Sequence, residues 1–225
     1  MPADRFALLT DAAIDVLADE GMRALTHRAV DRRAALPEGT TSAYFRTRKA
    51  LIEAVVRRIA DLDRVDLQAG RLPADAGDPA PDLTDVAAAA AAFAGILDGW
   101  MSQGRNRTLA RYACLLEATH HPEIRTILAY GDASRAQSAA MLAAAGVPDP
   151  ERAGRHLVAC IDGLLFDRLV GAGARTAPPP GTEASRADLT TALTVVLRGF
   201  LAPARRDEPG DEPGRDEPGG ESGRN

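Results

Sequence analysis

The chain has 225 residues, 45% of them hydrophobic, which is enough for one sizeable domain or for a small module joined to a medium one. Its two cysteines, Cys114 and Cys160, lie inside apolar stretches, which argues against a disulfide framework and fits a reducing cytoplasm. With no charged-then-apolar leader and no run of about 18 apolar residues, the sequence predicts neither a secretion signal nor a membrane span. The formal net charge of −5 argues against general affinity for nucleic acid.

Residue usage favours helices. Alanine is abundant, aromatic residues make up 4% of the chain, and stretches rich in β-branched residues are few. Alanine and leucine are good helix formers, whereas β-branched and aromatic residues favour strands. The sequence therefore predicts an all-α fold.

Four helices are predicted in the first 60 residues. Apolar residues recur there at helical spacing, and threonines stand where the second and fourth helices begin, as N-caps commonly do. In chain order, the predicted elements are a helix over 3–20 closed by Gly21, a short helix over 27–34 capped by Thr26, a connection over 35–38, a third helix over 39–45 and a longer fourth helix capped by Thr47.

Glycine and proline at close spacing predict the breaks in the rest of the chain. The predicted elements are a loop over 70–81 and helices over 83–103, 106–119, 123–145, 151–172 and 184–201. The segment 203–225 repeats Asp-Glu-Pro-Gly three times and has no apolar residue that could anchor it. We predict that it is a disordered acidic tail.

The basic residues are concentrated near the N-terminus. Residues 21–58 contain nine basic and three acidic side chains, a local net charge of +6. Three short helices with a four-residue connection before the third predict a helix-turn-helix. The third helix carries small polar groups suited to base edges and phosphates in a major groove, namely Thr40, Thr41, Ser42 and Tyr44.

The fourth helix begins with Arg46, Arg48 and Lys49. A cation at a helix N-terminus opposes the helix dipole, so phosphate binding at this end would explain these side chains better than helix stability does. A three-helix bundle with a solvated polar helix explains the same residue types equally well. From the residues alone, DNA binding and a solvated surface both remain open.

The stretch Leu-Pro-Glu-Gly-Thr-Thr-Ser-Ala-Tyr-Phe-Arg-Thr-Arg-Lys-Ala-Leu over 36–51, preceded by Leu-Thr at 25–26, resembles the signature of the TetR family of bacterial transcriptional regulators. The resemblance covers about residues 8–56. It implies phosphate or backbone contacts by Thr26, Arg28, Thr40, Tyr44 and Arg48, base contacts by Thr41 and Ser42, and core positions for Phe45 and Leu51. The chain departs from the family pattern at Ala35, Pro37, Ser42 and Ala43, which leaves the operator sequence open.

The resemblance also implies a domain organisation. Residues 1–47 would form the DNA-binding domain and 48–202 a helical effector-binding and dimerisation domain. The segments 157–170 and 187–201 are apolar around most of their circumference, so they need burial on two sides. A four-helix interface formed with the same two helices of a second subunit would bury both sides. The alternative is that the two helices form a hairpin that is buried within one subunit.

A small-molecule effector would lie among the middle helices. The candidate residues are Trp100, Met101, Arg111, Tyr112, Leu115, Glu117, His120, Asp162 and Phe166. For each of them, core packing or a surface ion pair is the alternative. Asp162 is the most informative of these, because a carboxylate buried in an apolar helix needs a partner. Glu117, His120 and His121 share a helical face, but we predict no metal site there.

Taken together, these features predict a ligand-responsive transcriptional repressor that binds a palindromic operator on double-stranded DNA as a homodimer. A helical interaction protein and an enzyme, both without DNA binding, are the alternatives. The sequence shows no Gly-rich phosphate loop, nucleophile elbow or convincing metal set, so we predict no catalysis and no cofactor.

Overall fold

The computed structural model describes residues 2–69, 83–121 and 130–202, and these residues form helices and their connections without any strand. The helices are α1 (Pro2–Glu20), α2 (His27–Arg33), α3 (Thr40–Tyr44), α4 (Arg48–Ala69), α5 (Val86–Met101), α6 (Arg105–His120), α7 (Tyr130–Ala144), α8 (Pro150–Leu169) and α9 (Glu183–Leu201), with 3-10 turns at Met22–Ala24 and Ala172–Arg175. The prediction of an all-α fold is confirmed.

The predicted helices agree with the observed ones to within a few residues at the described ends. α5 begins later than predicted because the Asp85 side chain accepts the amide of Ala88 at 3.0 Å and so caps the helix at Val86. The predicted loop over 70–81, the first part of the helix over 123–145 and the acidic tail lie outside the described residues. Among the described helices, none combines the length and apolar character that a bilayer crossing requires.

One hydrophobic core joins α1, α2 and α4. Leu9, Leu25, Val30, Leu51 and Val55 are all fully buried in it. Phe45, which follows α3, is also buried there and meets Phe6 edge to face, with ring centroids 5.1 Å apart. α6 contributes Ala110, Cys114 and Ala118 to the same cluster, so α6 packs directly against this N-terminal module of α1, α2, α3 and α4.

A second core lies between α5, α7, α8 and α9, with Leu97, Leu142, Leu165 and Leu193 completely enclosed. α7 and α8 approach closely at Gly154, where a Cβ atom would lie 2.7 Å from the backbone nitrogen of Ala139. Only glycine permits that approach. The buried Asp98 of α5 accepts the amide of Gly181 at 2.9 Å and pairs with Arg186 at 3.2 Å, which ties the start of α9 to α5.

Candidate nucleic-acid interface

A buried carboxylate holds α3 in place. Asp31, near the end of α2, is 1% exposed, and its oxygens accept three hydrogen bonds from the start of α3. The donors are the amide of Gly39 at 2.8 Å, the amide of Thr41 at 2.7 Å and the hydroxyl of Thr41 at 2.5 Å. A carboxylate at a helix N-terminus satisfies unpaired amides and interacts favourably with the helix dipole. Asp31 therefore fixes the orientation of α3 relative to α2.

The charge of Asp31 is stabilised by its surroundings. Burial alone raises the pKa of this carboxyl, but the hydroxyl and amide of Thr41, the amide of Gly39 and the nearby His27 together outweigh burial, and the pKa of Asp31 is lowered. Hydrogen bonds donated to an ionised carboxylate favour the charged form. Asp31 is thus held in its acceptor form, which the cap requires.

Two residues of the connection between α2 and α3 have left-handed backbone conformations. Gly39 has φ 91°, where glycine has no steric penalty. Ala35 has φ 53°, a conformation that is strained for a residue with a Cβ atom. The turn therefore keeps a left-handed residue at position 35 even though alanine stands where the family pattern commonly has glycine.

The structure corrects the prediction that Thr41 faces bases. The side chain of Thr41 is completely buried, and its hydroxyl donates to Asp31. It lies on the inner face of α3, one turn of the helix away from Phe45, which is also buried. Thr41 therefore positions α3 and cannot reach DNA.

The outer face of α3 carries Ser42, Ala43 and Tyr44, all exposed, and Thr40 at its edge. The hydroxyls of Thr40 and Ser42 donate to the carbonyls of Pro37 and Gly39, at 2.7 and 2.8 Å. Their oxygens can still accept hydrogen bonds. The phenol of Tyr44 is 43% exposed at the end of the helix. This surface is narrow and polar, with no bulky aliphatic side chain.

The elements around α3 are fixed by local hydrogen bonds. The Thr26 side chain caps α2 by accepting the amide of Ala29 at 3.1 Å, as predicted from the sequence. The ring nitrogen Nε2 of His27 lies 2.7 Å from the carbonyl of Phe45, directly after α3. Thr47 caps α4 by accepting the amide of Ala50 at 3.0 Å. Both ends of α3 are thus held by polar contacts.

The basic side chains near α3 are of two kinds. Arg28 is 82% exposed, 3.9 Å from Glu38; Arg46 is exposed; and Lys49 lies 3.8 Å from Glu53. Arg48 differs from them, because its guanidinium meets Glu117 of α6 at 3.1 Å and donates to the carbonyl of Met22 at 2.8 Å. Arg48 therefore connects the N-terminal module to α6 in this structure, and a phosphate contact would require it to leave Glu117.

A network of charges links α4, α5 and α6. Arg111 contacts Asp63, and Arg107 contacts Asp66 and lies 3.3 Å from Asp63. Trp100 donates its indole N–H to Asp66 at 2.9 Å, and the Arg111 guanidinium lies 5.2 Å from the centroid of the Trp100 ring. Two of the predicted effector residues, Trp100 and Arg111, are therefore brought together, but within a network of ion pairs.

Tyr112 and Phe166 form a second group, with ring centroids 5.2 Å apart in an edge-to-face arrangement. The hydroxyl of Tyr112 donates to the backbone carbonyl of Asp162 at 3.3 Å, and burial, together with the charge of Asp162, raises the pKa of Tyr112 to about 12. Asp162 is exposed in the single subunit, so the expectation of a fully buried carboxylate is wrong, although neighbouring atoms partly desolvate its carboxyl and raise its pKa. Its position is on the face of α8 that points away from the subunit's own core.

The remaining predicted effector residues are separate from both groups. Glu117 lies against Arg48 and 3.5 Å from His121, Leu115 is half-buried, Met101 is buried in the core and His120 is exposed. Among the described residues, no three side chains of the metal-binding types come together. Arg111 connects the first two groups, because its charge also acts on Tyr112 and Asp162, whereas Met101, Glu117 and His120 lie in different surroundings.

The sequence analysis missed Asp31, Asp63 and Asp66. Asp31 could have been suspected, since it is the sole acidic residue among the basic and apolar side chains of 21–37. Asp63 and Asp66 share a face of α4 at the i, i+3 spacing, but no feature of the sequence pairs them with Arg107 and Arg111 more than forty residues later.

Comparison of the sequence with known protein families shows which family the chain belongs to. Residues 9–55 match the profile of bacterial regulatory proteins of the tetR family, and residues 84–199 match that of the tetracyclin repressor-like C-terminal domain. The chain belongs to the TetR family. TetR proteins are DNA-binding transcriptional regulators and not enzymes, so the predicted family and the prediction of no enzymatic activity are confirmed.

Solved structures of known proteins resemble the described fold. A transcriptional regulator from Rhodococcus sp. Rha1 matches with a TM-score of 0.68 and 23% identity, over 90% of this chain and 99% of that one. A TetR member from Streptomyces coelicolor A3 matches at 0.61 and 28%, over 84% and 98%. The multidrug binding protein EbrR, complexed with imidazole, matches at 0.57 and 28%, over 90% and 98%. Curated protein sequences show no match to this chain.

Proposed function

We propose that this TetR protein is a ligand-responsive repressor that binds a palindromic operator as a homodimer. The observation that carries the proposal is the outward face of α3, which is polar, exposed and held by the buried carboxylate of Asp31. The proposed DNA contacts are Thr26, Arg28, Thr40, Ser42, Tyr44, Arg46 and Lys49.

The charge around α3 supports DNA as the partner. Segment 21–58 has a net charge of +6 in a chain whose net charge is −5. Arg28, Arg46 and Lys49 flank the polar face, where they can contact phosphates while Ser42 reaches base edges. We propose a DNA-binding domain of residues 1–47 followed by an effector and dimer domain of 48–202, acting in the cytoplasm.

A homodimer is supported by α8 and α9. Phe166 and Val170 of the α8 region are 44% and 48% exposed in the single subunit, and Val195 of α9 is 69% exposed. Apolar side chains exposed along two adjacent helices are typical of a subunit interface. The same pairing would present the two α3 helices, one from each subunit, to half-sites about one DNA turn apart. We call α3 the recognition helix.

The effector would act by changing the separation of the two recognition helices. A ligand shifts such an equilibrium only by its different affinity for the two conformations. We propose that the Arg48–Glu117 contact takes part in this coupling, because it joins α6 of the effector domain to the first turn of α4, directly after α3. EbrR has been solved with small molecules bound, which supports a similar kind of regulation here.

DNA binding can be tested with Tyr44→Ala and Lys49→Ala. Each change removes an exposed side chain, so the fold is expected to be retained. We expect Tyr44→Ala to weaken operator binding about tenfold or more. Lys49→Ala should lower the slope of log affinity against log salt by about 0.9, the value for one lost phosphate contact. Fluorescence anisotropy with labelled operator duplex at several salt concentrations measures both effects.

Arg175→Ala is the matched control, because Arg175 is an exposed arginine in the 3-10 turn before α9, remote from α3 in the chain. It should leave affinity and salt slope unchanged. If Tyr44→Ala and Lys49→Ala bound DNA like the unaltered protein, the outward face of α3 would not be the DNA-binding surface. A helical interaction protein without DNA binding would then be the better interpretation.

A further inference from the structure

The surface around α3 carries more positive charge than nearby acids neutralise. Three basic side chains of the N-terminal module, Arg33, Arg48 and Arg58, are paired with acids of α1 or α6. Five others are exposed on the elements before and after α3. We call them the basic surface, and they are Arg23, Arg28, Arg32, Arg46 and Lys49.

These five cations are poorly compensated. Three of them form no ion pair among the described residues. The other two, Arg28 and Lys49, lie 3.9 and 3.8 Å from Glu38 and Glu53, near the outer limit for an ion pair. Five cations and two carboxylates leave the basic surface with a net charge of +3. Because neighbouring like charges repel, an anionic occupant lowers the electrostatic energy of this surface.

The acidic tail predicted from the sequence has the complementary charge. Its segment 207–221 contains seven acidic residues and one arginine, a net charge of −6. The acids are arranged as three Asp-Glu pairs, each followed by Pro-Gly, with one more glutamate at position 221. No apolar side chain other than proline lies among them, so charge is what this segment offers to a binding surface.

The segment is long enough to reach the basic surface. Its middle, at Gly214, lies twelve residues beyond Ala202, and twelve extended residues span up to about 40 Å. A compact chain of about 200 residues is about 40 Å across. Because the segment is tethered to the protein, its effective concentration at the surface is about millimolar.

We propose that segment 207–221 docks on the basic surface and competes with DNA for it. Single exposed ion pairs are weak, but several form at once and the tether favours them. A docked segment must leave before any duplex binds, so it lowers the affinity for operator and for unrelated DNA by the same factor. The competition rests on the function proposed above, whereas docking does not.

Lys49 permits a direct test of docking without DNA, because it is the only lysine in the chain. A carbodiimide joins a carboxylate to an amine at contact distance, and mass spectrometry of the peptides identifies the joined residues. We expect the full-length protein at low salt to join Lys49 to acids of 207–221, and about 1 M salt to prevent it. The Lys49–Glu53 pair, 3.8 Å apart, is the internal positive control, and Lys49→Arg is the negative control. Joining to Glu53 without joining to the tail would overturn the proposal.

Chance collisions with the tail are distinguished from docking by Arg46→Gln. This variant removes a neighbouring cation and leaves Lys49 in place, so joining of Lys49 to the tail should fall about threefold. Arg175→Gln removes an exposed arginine that is remote from α3 in the chain and should have no effect. An undiminished yield in Arg46→Gln would show that the tail does not dock on the basic surface.

Competition with DNA is tested by neutralising the tail at constant length. The substitutions are Asp207→Asn, Glu208→Gln, Asp211→Asn, Glu212→Gln, Asp216→Asn, Glu217→Gln and Glu221→Gln. We expect the affinity for operator and for an unrelated duplex to rise by a common factor, about tenfold at low salt.

The combined outcomes separate docking from other effects of the tail. Higher DNA affinity of the neutralised variant, without joining of Lys49 to the tail in the unaltered protein, would indicate long-range repulsion and overturn docking. Unchanged affinity for both duplexes would overturn the competition. A protein that joins its tail to Lys49 but binds no duplex would refute the proposed function and leave docking intact.

Discussion

Replacing Asp31 with alanine is expected to lower the free energy of unfolding by about 3 kcal/mol and to abolish specific DNA binding. The change leaves three donors at the start of α3 without their acceptor, two of them backbone amides. A buried donor without a partner costs about 1–3 kcal/mol, partly relieved where water can enter. Urea unfolding followed by circular dichroism gives the stability, and anisotropy with operator duplex gives the DNA affinity.

Asp31→Asn is the matched variant, because it keeps the shape and one oxygen acceptor but lacks the charge. The folded protein lowers the pKa of Asp31, so ionisation of this group stabilises the fold above the pKa of about 3.9 that an unfolded aspartate has. That contribution is lost as the pH falls through the lower pKa of the folded state. Unfolding between pH 6 and pH 2 should therefore depend less on pH in Asp31→Asn. Equal stability of all three proteins would show that Asp31 does not support α3.

Replacing Val195 with glutamate is expected to separate the homodimer into folded monomers. Val195 is 69% exposed in the single subunit, so the substitution should not disturb the subunit's own core. Between two subunits, however, an unpaired carboxylate is strongly unfavourable, and we expect the dimer dissociation constant to rise about 100-fold or more. Operator affinity should fall with it, because a monomer contacts one half-site only.

Leu116→Glu is the control for this experiment. Leu116 of α6 has a comparable exposure of 61%, but it does not lie on α8 or α9. Light scattering at micromolar concentration should show a dimer for the unaltered protein and for Leu116→Glu, and a monomer for Val195→Glu. A monomer mass for the unaltered protein would refute the homodimer. A dimer in Val195→Glu would move the interface away from this part of α9.

The helices themselves could be predicted from the sequence because each depends on local information. Apolar spacing predicts α1 and α4, while Thr26 and Thr47 predict where α2 and α4 begin, and both threonines form the expected caps. These signals lie within a few residues of the helix end that they determine. For the same reason, the sequence alone predicts the helix-turn-helix order of the first 46 residues.

The direction in which individual side chains point could not be predicted from such local information. Thr40, Thr41 and Ser42 are chemically alike, and only the rotation of α3 about its axis places Thr41 inside and Ser42 outside. That rotation is set by Asp31, ten residues before Thr41. The partner of Arg48 lies farther away still, at Glu117. Contacts over such distances depend on how helices pack, which residue types do not specify.

The prediction that Asp162 is buried failed for a different reason. Its apolar neighbours in the sequence predict burial, but they divide between two faces of α8, and one face is exposed in the single subunit. Leu157 and Leu165 point into the core, whereas Asp162 and Phe166 do not. Sequence periodicity indicates that a helix has two apolar faces that need burial. It does not show which of the two faces packs against the core of its own subunit.

Selection from random duplex DNA tests the central claim most directly. The full-length protein is incubated with a random pool, and bound duplexes are sequenced over several rounds, in parallel with Tyr44→Ala. We expect enrichment of an inverted repeat whose half-site centres are about 10 base pairs apart, and loss of that enrichment in the variant. Enrichment of no sequence by the unaltered protein, or of the same sequence by both proteins, would contradict recognition of operator DNA by the outward face of α3.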